Sequence, residues 1–156
     1  MTGGRIKAMR KYLDEHEPFC LTYGDGVTDV DIPAAIEFHQ QQDALVTLTA
    51  VKPPGRFGAF TLPDGQSKIY NFREKAQMDE AWINGGYFVV QPEAIDYIEG
   101  ESTVWEYQPM QTIAQQGRLA AYRHTGYWQN MDTLRDKNVL TKIWLSGEAP
   151  WQLWDK

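Results

Sequence analysis

Compact runs of apolar residues alternate along this chain with segments in which apolar residues recur at helical spacing. Residues 19–22 and 44–51 are runs of strand-forming side chains, which are typical of buried strands. Between them, Asp31 can cap a segment that has Pro33 in its first turn and continues to about Gln42, which predicts a helix. A strand, a helix and a strand in this order form a βαβ unit, so we expect a sheet that is at least partly parallel.

The same periodicities predict the remaining elements. Glycines 85–86 lie inside one strand pattern, which indicates a bulge or a close approach of the backbone. The further elements are an opening helix over residues 6–13, a hairpin over 58–62 and 68–72, a strand over 82–90, short helices over 92–98 and 109–116, a strand over 119–124 and a long helix over 133–145. The pattern predicts an α/β protein with a mixed, largely parallel sheet, flanking helices and a single domain spanning residues 1–156.

The pattern also assigns side chains to the interior. Cys20 lies within an apolar strand and is expected to be a buried, inert thiol. Trp82 could stack on a sugar or a base, but packing in the core is the favoured interpretation. Trp151 and Trp154 are expected to pack on the body of the protein or on a partner. The expected buried face of the long helix consists of Leu134, Val139, Leu140 and Ile143.

Composition narrows the class of protein. The 156 residues carry a net charge of −6 and no basic run, which argues against a nucleic-acid partner. The negative net charge does not exclude a small nucleotide as substrate. No apolar run is long enough for a membrane span, so we expect no membrane partner. The one cysteine excludes an internal disulfide and fits a reducing compartment, from which we expect a cytoplasmic protein.

Two acids are candidates for chemistry. Asp25 follows the first strand between Gly24 and Gly26, where a phosphate or Mg²⁺ can approach the backbone, although an Asp-Gly turn explains the same residues. Asp132 follows an aromatic stretch and opens the last helix, where it is either a helix cap or a second metal ligand. If the two strand ends meet at one edge of the sheet, the carboxylates can share a metal ion.

Other candidates are weaker when they are considered alone. Asp29 and Asp31 form an Asp-x-Asp pair that suits a metal-dependent glycosyltransferase, but Asp31 has an alternative role as a helix cap. Glu74 and Lys75 can bind sugar hydroxyls and a phosphate, or simply lie at a solvated strand end. The three histidines, His16, His39 and His124, have no metal-ligand spacing and receive no chemical role.

Several segments together resemble one family, the glucose-1-phosphate cytidylyltransferases, which are sugar nucleotidyltransferases. The resemblance covers essentially the whole chain, and its segments are long and specific. They are Thr-Tyr-Gly-Asp-Gly-Val-Thr-Asp-Val-Asp at 22–31, Pro-Pro-Gly-Arg-Phe-Gly-Ala at 53–59, Trp-Ile-Asn-Gly-Gly-Tyr-Phe at 82–88 and Gly-Tyr-Trp-Gln-Asn-Met-Asp-Thr-Leu-Arg-Asp at 126–136. Gly147, Pro150 and Trp151 continue it.

The resemblance implies a reaction and a site. CTP and glucose 1-phosphate would give CDP-glucose and pyrophosphate on an incomplete doubly wound nucleotidyltransferase fold, with Mg²⁺ between Asp25 and Asp132. It implies that Arg5 and Gly24 lie near the nucleotide. The residues that it implies around the sugar phosphate are Gly58, Glu74, Lys75 and Asn84.

The chain departs from the family in two places. Ala76 follows Glu74-Lys75 where relatives have proline, which alters loop stiffness. The phosphate-wrapping Gly-Gly-x-Gly-Thr-Arg loop and the following lysine-proline segment are not in the sequence, so we expect a C-terminal part that lacks about the first 100 residues of the family domain. An uncovered sheet edge or apolar face would then favour a homo-oligomer.

Three alternatives remain open at this point. One is a nucleotidyltransferase for another nucleotide or sugar. Another is a non-catalytic sugar-binding or assembly module that uses the tryptophan-rich tail. The third is the glycosyltransferase that would use Asp29 and Asp31.

Overall fold

The computed structural model describes residues 1–53, 59–61, 70–73 and 82–154, with the backbone alone for 59–61 and 70–73. The helices are α1 (Thr2–Met9), α2 (Ile32–Gln40), α3 (Gln108–Gln115) and α4 (Leu134–Leu145), with 3-10 turns at Arg10–Tyr12 and Pro92–Tyr97. The strands are β1 (Phe19–Thr22), β2 (Gly26–Thr28), β3 (Val46–Val51), β4 (Ala59–Thr61), β5 (Tyr70–Arg73), β6 (Ile83–Val90), β7 (Leu119–Arg123) and β8 (Trp128–Asn130). The predicted elements are therefore confirmed within a few residues at each end.

The main sheet is mixed, as predicted. Its strand order is β1-β6-β3-β7, and β6 runs antiparallel to β1. β7 follows β3 in the same direction, because Leu45 donates its amide to Arg118 near the start of the pair and His124 donates to Ala50 near the end, both at 2.9 Å. Two further pairs, β2 with β8 and β4 with β5, are antiparallel, and the second of them confirms the predicted hairpin.

The chain divides into two compact units. Unit 1 consists of Met1–Gly24, Val30–Thr49 and Asn84–Arg123, and unit 2 of Asp25–Asp29, Ala50–Ile83 and His124–Lys156. The prediction of one domain over residues 1–156 stays a prediction.

The hydrophobic core of unit 1 is built from strand, loop and helix side chains. Trp105 is fully buried at its centre, although its indole N–H is without a partner among the described residues. Burying each large apolar side chain contributes about 1.5–3 kcal/mol, so this cluster is the main stabilising feature of the unit. Its members are Ile6, Leu45, Val46, Phe88, Val90, Ala94, Ile95, Ile98, Trp105, Met110 and Ile113.

Gly86 confirms the expected close approach inside β6. Its φ is +79°, and a Cβ there would lie 2.9 Å from Cδ2 of Tyr23. The Tyr23 amide also donates to the Gly86 carbonyl at 2.9 Å. A side chain at Gly86 would therefore meet both backbone strain and the tyrosine ring.

Four burial predictions are wrong, namely those for Leu134, Val139, Cys20 and Trp82. Leu134 and Val139 of α4 are 71% and 43% exposed, because the helix instead turns Asp136 and Leu140 inward. Cys20 is exposed, since β1 is an edge strand in which alternate residues point outward.

Trp82 is 37% exposed and is not a core residue. At the end of the chain, Trp151 packs on Tyr127 at a ring-centroid distance of 5.3 Å, whereas Trp154 is 56% exposed.

In the described ranges, no helix has the length and apolar character that crossing a membrane requires.

Candidate functional site

Asp25 and Asp132 lie at the same end of the β2–β8 ladder. Gly26 is paired with Asn130, and one step outward the Asp25 carbonyl accepts the Met131 amide at 2.8 Å. Met131 is therefore the residue opposite Asp25, and Asp132 follows it, so both acids lie at the same end of the ladder, one position out of register. The sequence predicts that two strand ends meet at the edge of the main sheet, whereas the structure places both acids at one end of a separate two-stranded pair.

The start of α4 resolves the alternative role of Asp132. Thr133, not Asp132, caps the helix: its hydroxyl accepts the Asp136 amide at 3.2 Å, and the Asp136 carboxylate accepts the Thr133 amide at 3.0 Å. This reciprocal capping box satisfies the helix start without Asp132. The Asp132 carboxylate instead accepts a hydrogen bond from the Asn130 side-chain amide. The helix-cap interpretation of Asp132 is therefore wrong.

The two carboxylates fit Mg²⁺ by ligand chemistry and exposure. Both are exposed, and no described residue donates a hydrogen bond to the Asp25 side chain. Mg²⁺ is usually bound through one or two carboxylates, with water and substrate phosphates as the remaining ligands. The described residues contain no group of three or more His, Cys, Asp or Glu side chains that could hold a metal ion.

Three further predicted site residues, Arg5, Gly24 and Asn84, belong to unit 1. Arg5 is exposed on α1 and lines an apolar cavity of about 280 Å³. Gly24 is exposed, and a Cβ there would contact nothing within 4 Å, so packing does not explain the glycine. Asn84 is half-buried, and its side-chain oxygen accepts the Gly86 amide at 2.8 Å. Asn84 thus has a local role in β6, and its place near the sugar phosphate stays a prediction.

Gly58, Glu74 and Lys75 lie outside the described residues. Their predicted roles around the sugar phosphate stay predictions.

A second polar cluster was not predicted from the sequence. His124 Nε2 lies 2.9 Å from Asp29 Oδ1, and the same oxygen accepts the Tyr127 amide at 2.7 Å. Thr28 Oγ1 lies 3.2 Å from His124 Nε2 and donates to the Tyr127 carbonyl at 2.8 Å. Residues 29 and 124 are far apart in sequence and show no motif spacing, so only the pairing of β2 with β8 could reveal this contact.

Asp29 and Asp31 therefore have separate structural roles. Asp29 pairs with His124, while the Asp31 carboxylate accepts the Ala34 amide at 2.9 Å and caps α2, as predicted. Both carboxylates are occupied by protein partners, which disfavours the Asp-x-Asp glycosyltransferase alternative.

His124 also lines a polar cleft of unit 2 with a volume of about 240 Å³. We call this the Trp82 cleft. Its rim contains the Lys52 ammonium, 5.3 Å from the centre of the Trp82 ring. The lining residues are Val51, Lys52, Trp82, His124, Thr125 and Gly126.

Cys20 carries no sign of nucleophilic chemistry. It is exposed as a residue, yet partial burial raises the pKa of its thiol. A raised pKa lowers the thiolate fraction, and the thiolate is the reactive form.

Comparison with known proteins gives the family. The chain is 51% identical over 155 residues to a glucose-1-phosphate cytidylyltransferase of Salmonella typhi, with 99% of this chain and 60% of that protein covered. It is 37% identical to a Bacillus subtilis protein named as a probable glucose-1-phosphate cytidylyltransferase, with 99% and 59% covered. The chain thus spans about 60% of the length of these relatives.

Solved structures share the fold. HddC from Yersinia pseudotuberculosis superposes with a TM-score of 0.65 at 21% identity, over 92% of this chain and 62% of that one. The family model described as nucleotidyl transferase matches residues 2–136, which is most of the chain. The chain therefore belongs to the nucleotidyl transferase family.

Proposed function

We propose that this chain is part of a glucose-1-phosphate cytidylyltransferase that converts CTP and glucose 1-phosphate into CDP-glucose and pyrophosphate. The observation that carries the proposal is that Asp25 and Asp132 are both exposed and lie at the same end of the β2–β8 ladder. The similarity to the Salmonella typhi relative supports the choice of nucleotide and sugar.

The proposed chemistry needs positioning and charge neutralisation. An oxygen of the sugar phosphate attacks the α-phosphorus of CTP, and the bond to pyrophosphate breaks, so no covalent intermediate with the protein is required. Asp25 and Asp132 would hold Mg²⁺, which offsets the charge on the phosphoryl oxygens when it is bound. Arg5 and Gly24 would lie near the nucleotide, and the residues proposed around the sugar phosphate are Gly58, Glu74, Lys75 and Asn84.

The two acids can be tested in a chimera. It joins this chain to the part of the Salmonella typhi relative that the chain does not cover, and pyrophosphate release is measured with CTP and glucose 1-phosphate. We expect Asp25→Asn and Asp132→Asn each to lower turnover about 100-fold or more, because each removes a charged group that stabilises the transition state through the metal site. We expect Mg²⁺ binding, measured by calorimetry, to weaken in both variants.

Glu148→Gln is the matched control, since Glu148 is an exposed acid of the same unit. Turnover of this variant should equal that of the unsubstituted chimera. Near-normal turnover in Asp25→Asn or Asp132→Asn would remove that acid from the proposed site. The 156-residue chain alone is expected to give no CDP-glucose, and turnover by it would contradict the proposed need for the longer protein.

A nucleotide panel separates the proposal from its nearest alternative. The same chimera is assayed with CTP, UTP and dTTP, and with sugar phosphates other than glucose 1-phosphate. Preference for CTP and glucose 1-phosphate supports the proposal, while a different preferred pair would make the protein a nucleotidyltransferase of another specificity.

A further inference from the structure

β1 is an edge strand whose outer side is open to a further strand. The Tyr23 amide donates to the Gly86 carbonyl at 2.9 Å, next to the β1–β6 ladder, and backbone groups alternate in direction along a strand. Cys20 and Thr22 therefore direct their amides and carbonyls away from β6, to a side on which no described strand lies. Residues 19–22 contain no charged side chain, proline or bulge, which are features that commonly prevent an edge from pairing. This edge is therefore competent to pair with another strand.

Apolar cavities lie beside β1 on both faces of the main sheet. Their volumes are about 280 Å³ on the α1 side and about 170 Å³ on the α2 side. The first is lined mainly by Ile6, Met9, Leu13, Phe19 and Leu21. The second is lined in part by Cys20, Thr22, Ile32, Ala35 and Tyr87. Because successive side chains of a strand point to opposite faces of a sheet, a strand placed beside β1 would extend side chains into both cavities.

The two ends of this edge carry opposite charge. Thr2 Oγ1 and the Tyr23 hydroxyl both donate to the Glu106 carboxylate, so the start of α1 lies beside the carboxyl end of β1. Arg5 lies about one turn further along α1 and lines the cavity on that side. The segment that precedes β1, residues 14–17, contains three acids, Asp14, Glu15 and Glu17. The edge is thus basic toward the carboxyl end of β1 and acidic at its amino end.

The charges at the two ends are unengaged within the described part of one chain. Arg5 and Glu17 are exposed, and neither side chain has a hydrogen-bond or ion-pair partner there. Arg10, by contrast, pairs with Asp96. Arg5 and Glu17 are therefore available to a partner of complementary charge.

Antiparallel pairing of two copies satisfies these charges. When two β1 strands pair in opposite directions, the amino end of each lies beside the carboxyl end of the other. Glu17 of each copy then lies near Arg5 of the other, which gives two symmetric ion pairs. Parallel pairing would instead bring the acids of the two copies together. The charge pattern is therefore self-complementary, as the interface of a two-fold dimer requires.

We propose that two copies of this chain associate through antiparallel pairing of β1. The pairing joins two four-stranded sheets into one sheet of eight strands and covers the apolar cavities beside β1. The proposal goes beyond the proposed cytidylyltransferase function and does not depend on it, because the contact needs neither substrate nor metal.

Cys20 provides a direct test, because it is the one cysteine of the chain and is exposed on this edge. We expect a bis-maleimide reagent with a spacer of about 8 Å to convert most of the chain into covalent dimers, since the two Cys20 side chains would be opposite or diagonal neighbours about 5–8 Å apart. The control is Cys20→Ser with Gln115→Cys, which moves the thiol to an exposed position of α3 in the same unit. If Cys20 gives no more covalent dimer than the control, the proposal is overturned.

A charge exchange tests the antiparallel arrangement. We expect Arg5→Glu and Glu17→Arg each to raise the dimer dissociation constant about tenfold or more, measured by sedimentation, because each variant places like charges at both ends of the pairing. The double variant should recover most of the affinity, and absence of recovery would overturn the proposal. Sedimentation is measured without nucleotide, since Arg5 is also proposed to lie near it.

Matched controls make the same changes of charge elsewhere in unit 1. Arg118→Glu lies next to β7, at the other edge of the main sheet, and Glu37→Arg lies on α2. Both should leave the dissociation constant unchanged. An increase in either control as large as in Arg5→Glu would reduce the effect to net charge and contradict the proposed ion pairs.

Two further measurements distinguish other occupants of this edge. Leu134→Glu with Leu145→Glu changes exposed residues of α4 and should leave the Cys20 crosslink intact, so loss of the crosslink would assign association to α4 and overturn the proposal. The chimera identifies the other alternative. A monomeric 156-residue chain whose Cys20 becomes protected from maleimide in the chimera would show that β1 pairs with a strand of the longer protein instead of a second copy.

Discussion

At the scale of single residues, Gly86 has a conformation and a neighbour that exclude a side chain. Its φ of +79° costs an alanine about 1–2 kcal/mol, and the added Cβ would lie 2.9 Å from the Tyr23 ring. We expect Gly86→Ala to lower the free energy of unfolding by more than about 2 kcal/mol, measured by urea denaturation. Gly100→Ala is the control, because a Cβ there would contact nothing within 4 Å. Equal losses in the two variants would refute the role of the Tyr23 contact.

His39 gives the protein a pH dependence that the sequence did not indicate. It is 1% exposed, with Nδ1 2.8 Å from Thr47 Oγ1 and Nε2 3.1 Å from the Gln91 amide nitrogen. Burial lowers the pKa of His39 from its ordinary 6.5, so the unfolded chain binds the proton more readily than the folded chain. Stability is therefore fully present above about pH 6.5 and is lost as the pH falls toward the lowered pKa.

We expect urea denaturation to show lower stability at about pH 5.5 than at about pH 7.5. In His39→Gln this difference should become smaller, although the variant loses stability at both values. His16→Gln, which changes an exposed histidine, should retain the wild-type pH dependence. If the pH dependence of stability is unchanged in His39→Gln, it arises from groups other than His39.

At the scale of elements, different residues at the start of α4 stabilise the helix and are proposed to bind the metal ion. Thr133 and Asp136 form the capping box, while Asp132 lies just before it. We expect Thr133→Ala to cost about 1 kcal/mol of unfolding free energy, because the Asp136 amide loses its acceptor. Asp132→Ala should change stability by less than about 0.5 kcal/mol in the same denaturation experiment. A larger loss of unfolding free energy in Asp132→Ala than in Thr133→Ala would instead identify Asp132 as the helix cap.

Most element boundaries were predictable because their signals are local. The Asp31 cap with Pro33 in the first turn defines α2, and the glycine after α3, Gly117, has a φ of +72°. The orientation of α4 was not predictable in the same way. Leu134 and Val139 are apolar like Leu140, and only tertiary packing selects which of them is buried.

At the scale of the whole molecule, exposed apolar side chains favour self-association. Leu134 and Leu145 of α4 are 71% and 78% exposed, and Trp154 is 56% exposed. We predict that the chain forms a homo-oligomer that buries part of this surface. Light scattering should give a mass above that of one chain, and Leu134→Glu with Leu145→Glu should lower it. Lys137→Glu is the control on the same helix, and a monomeric wild-type chain would contradict the prediction.

The sequence by itself determined the family, the α/β class, most strand and helix positions, and the two acids as candidates, because these depend on local pattern and on the order of motifs. Only the tertiary structure decided that β2 and β8 pair, which places Asp25 and Asp132 at one end of the ladder and joins Asp29 to His124 at the other. It also decided that Thr133 caps α4 and that Cys20 and Trp82 are exposed. The physical reason is that pairing and burial depend on residues about 100 positions apart, such as Asp29 and Tyr127. Their contact is made by strand pairing and leaves no local signal in the chain.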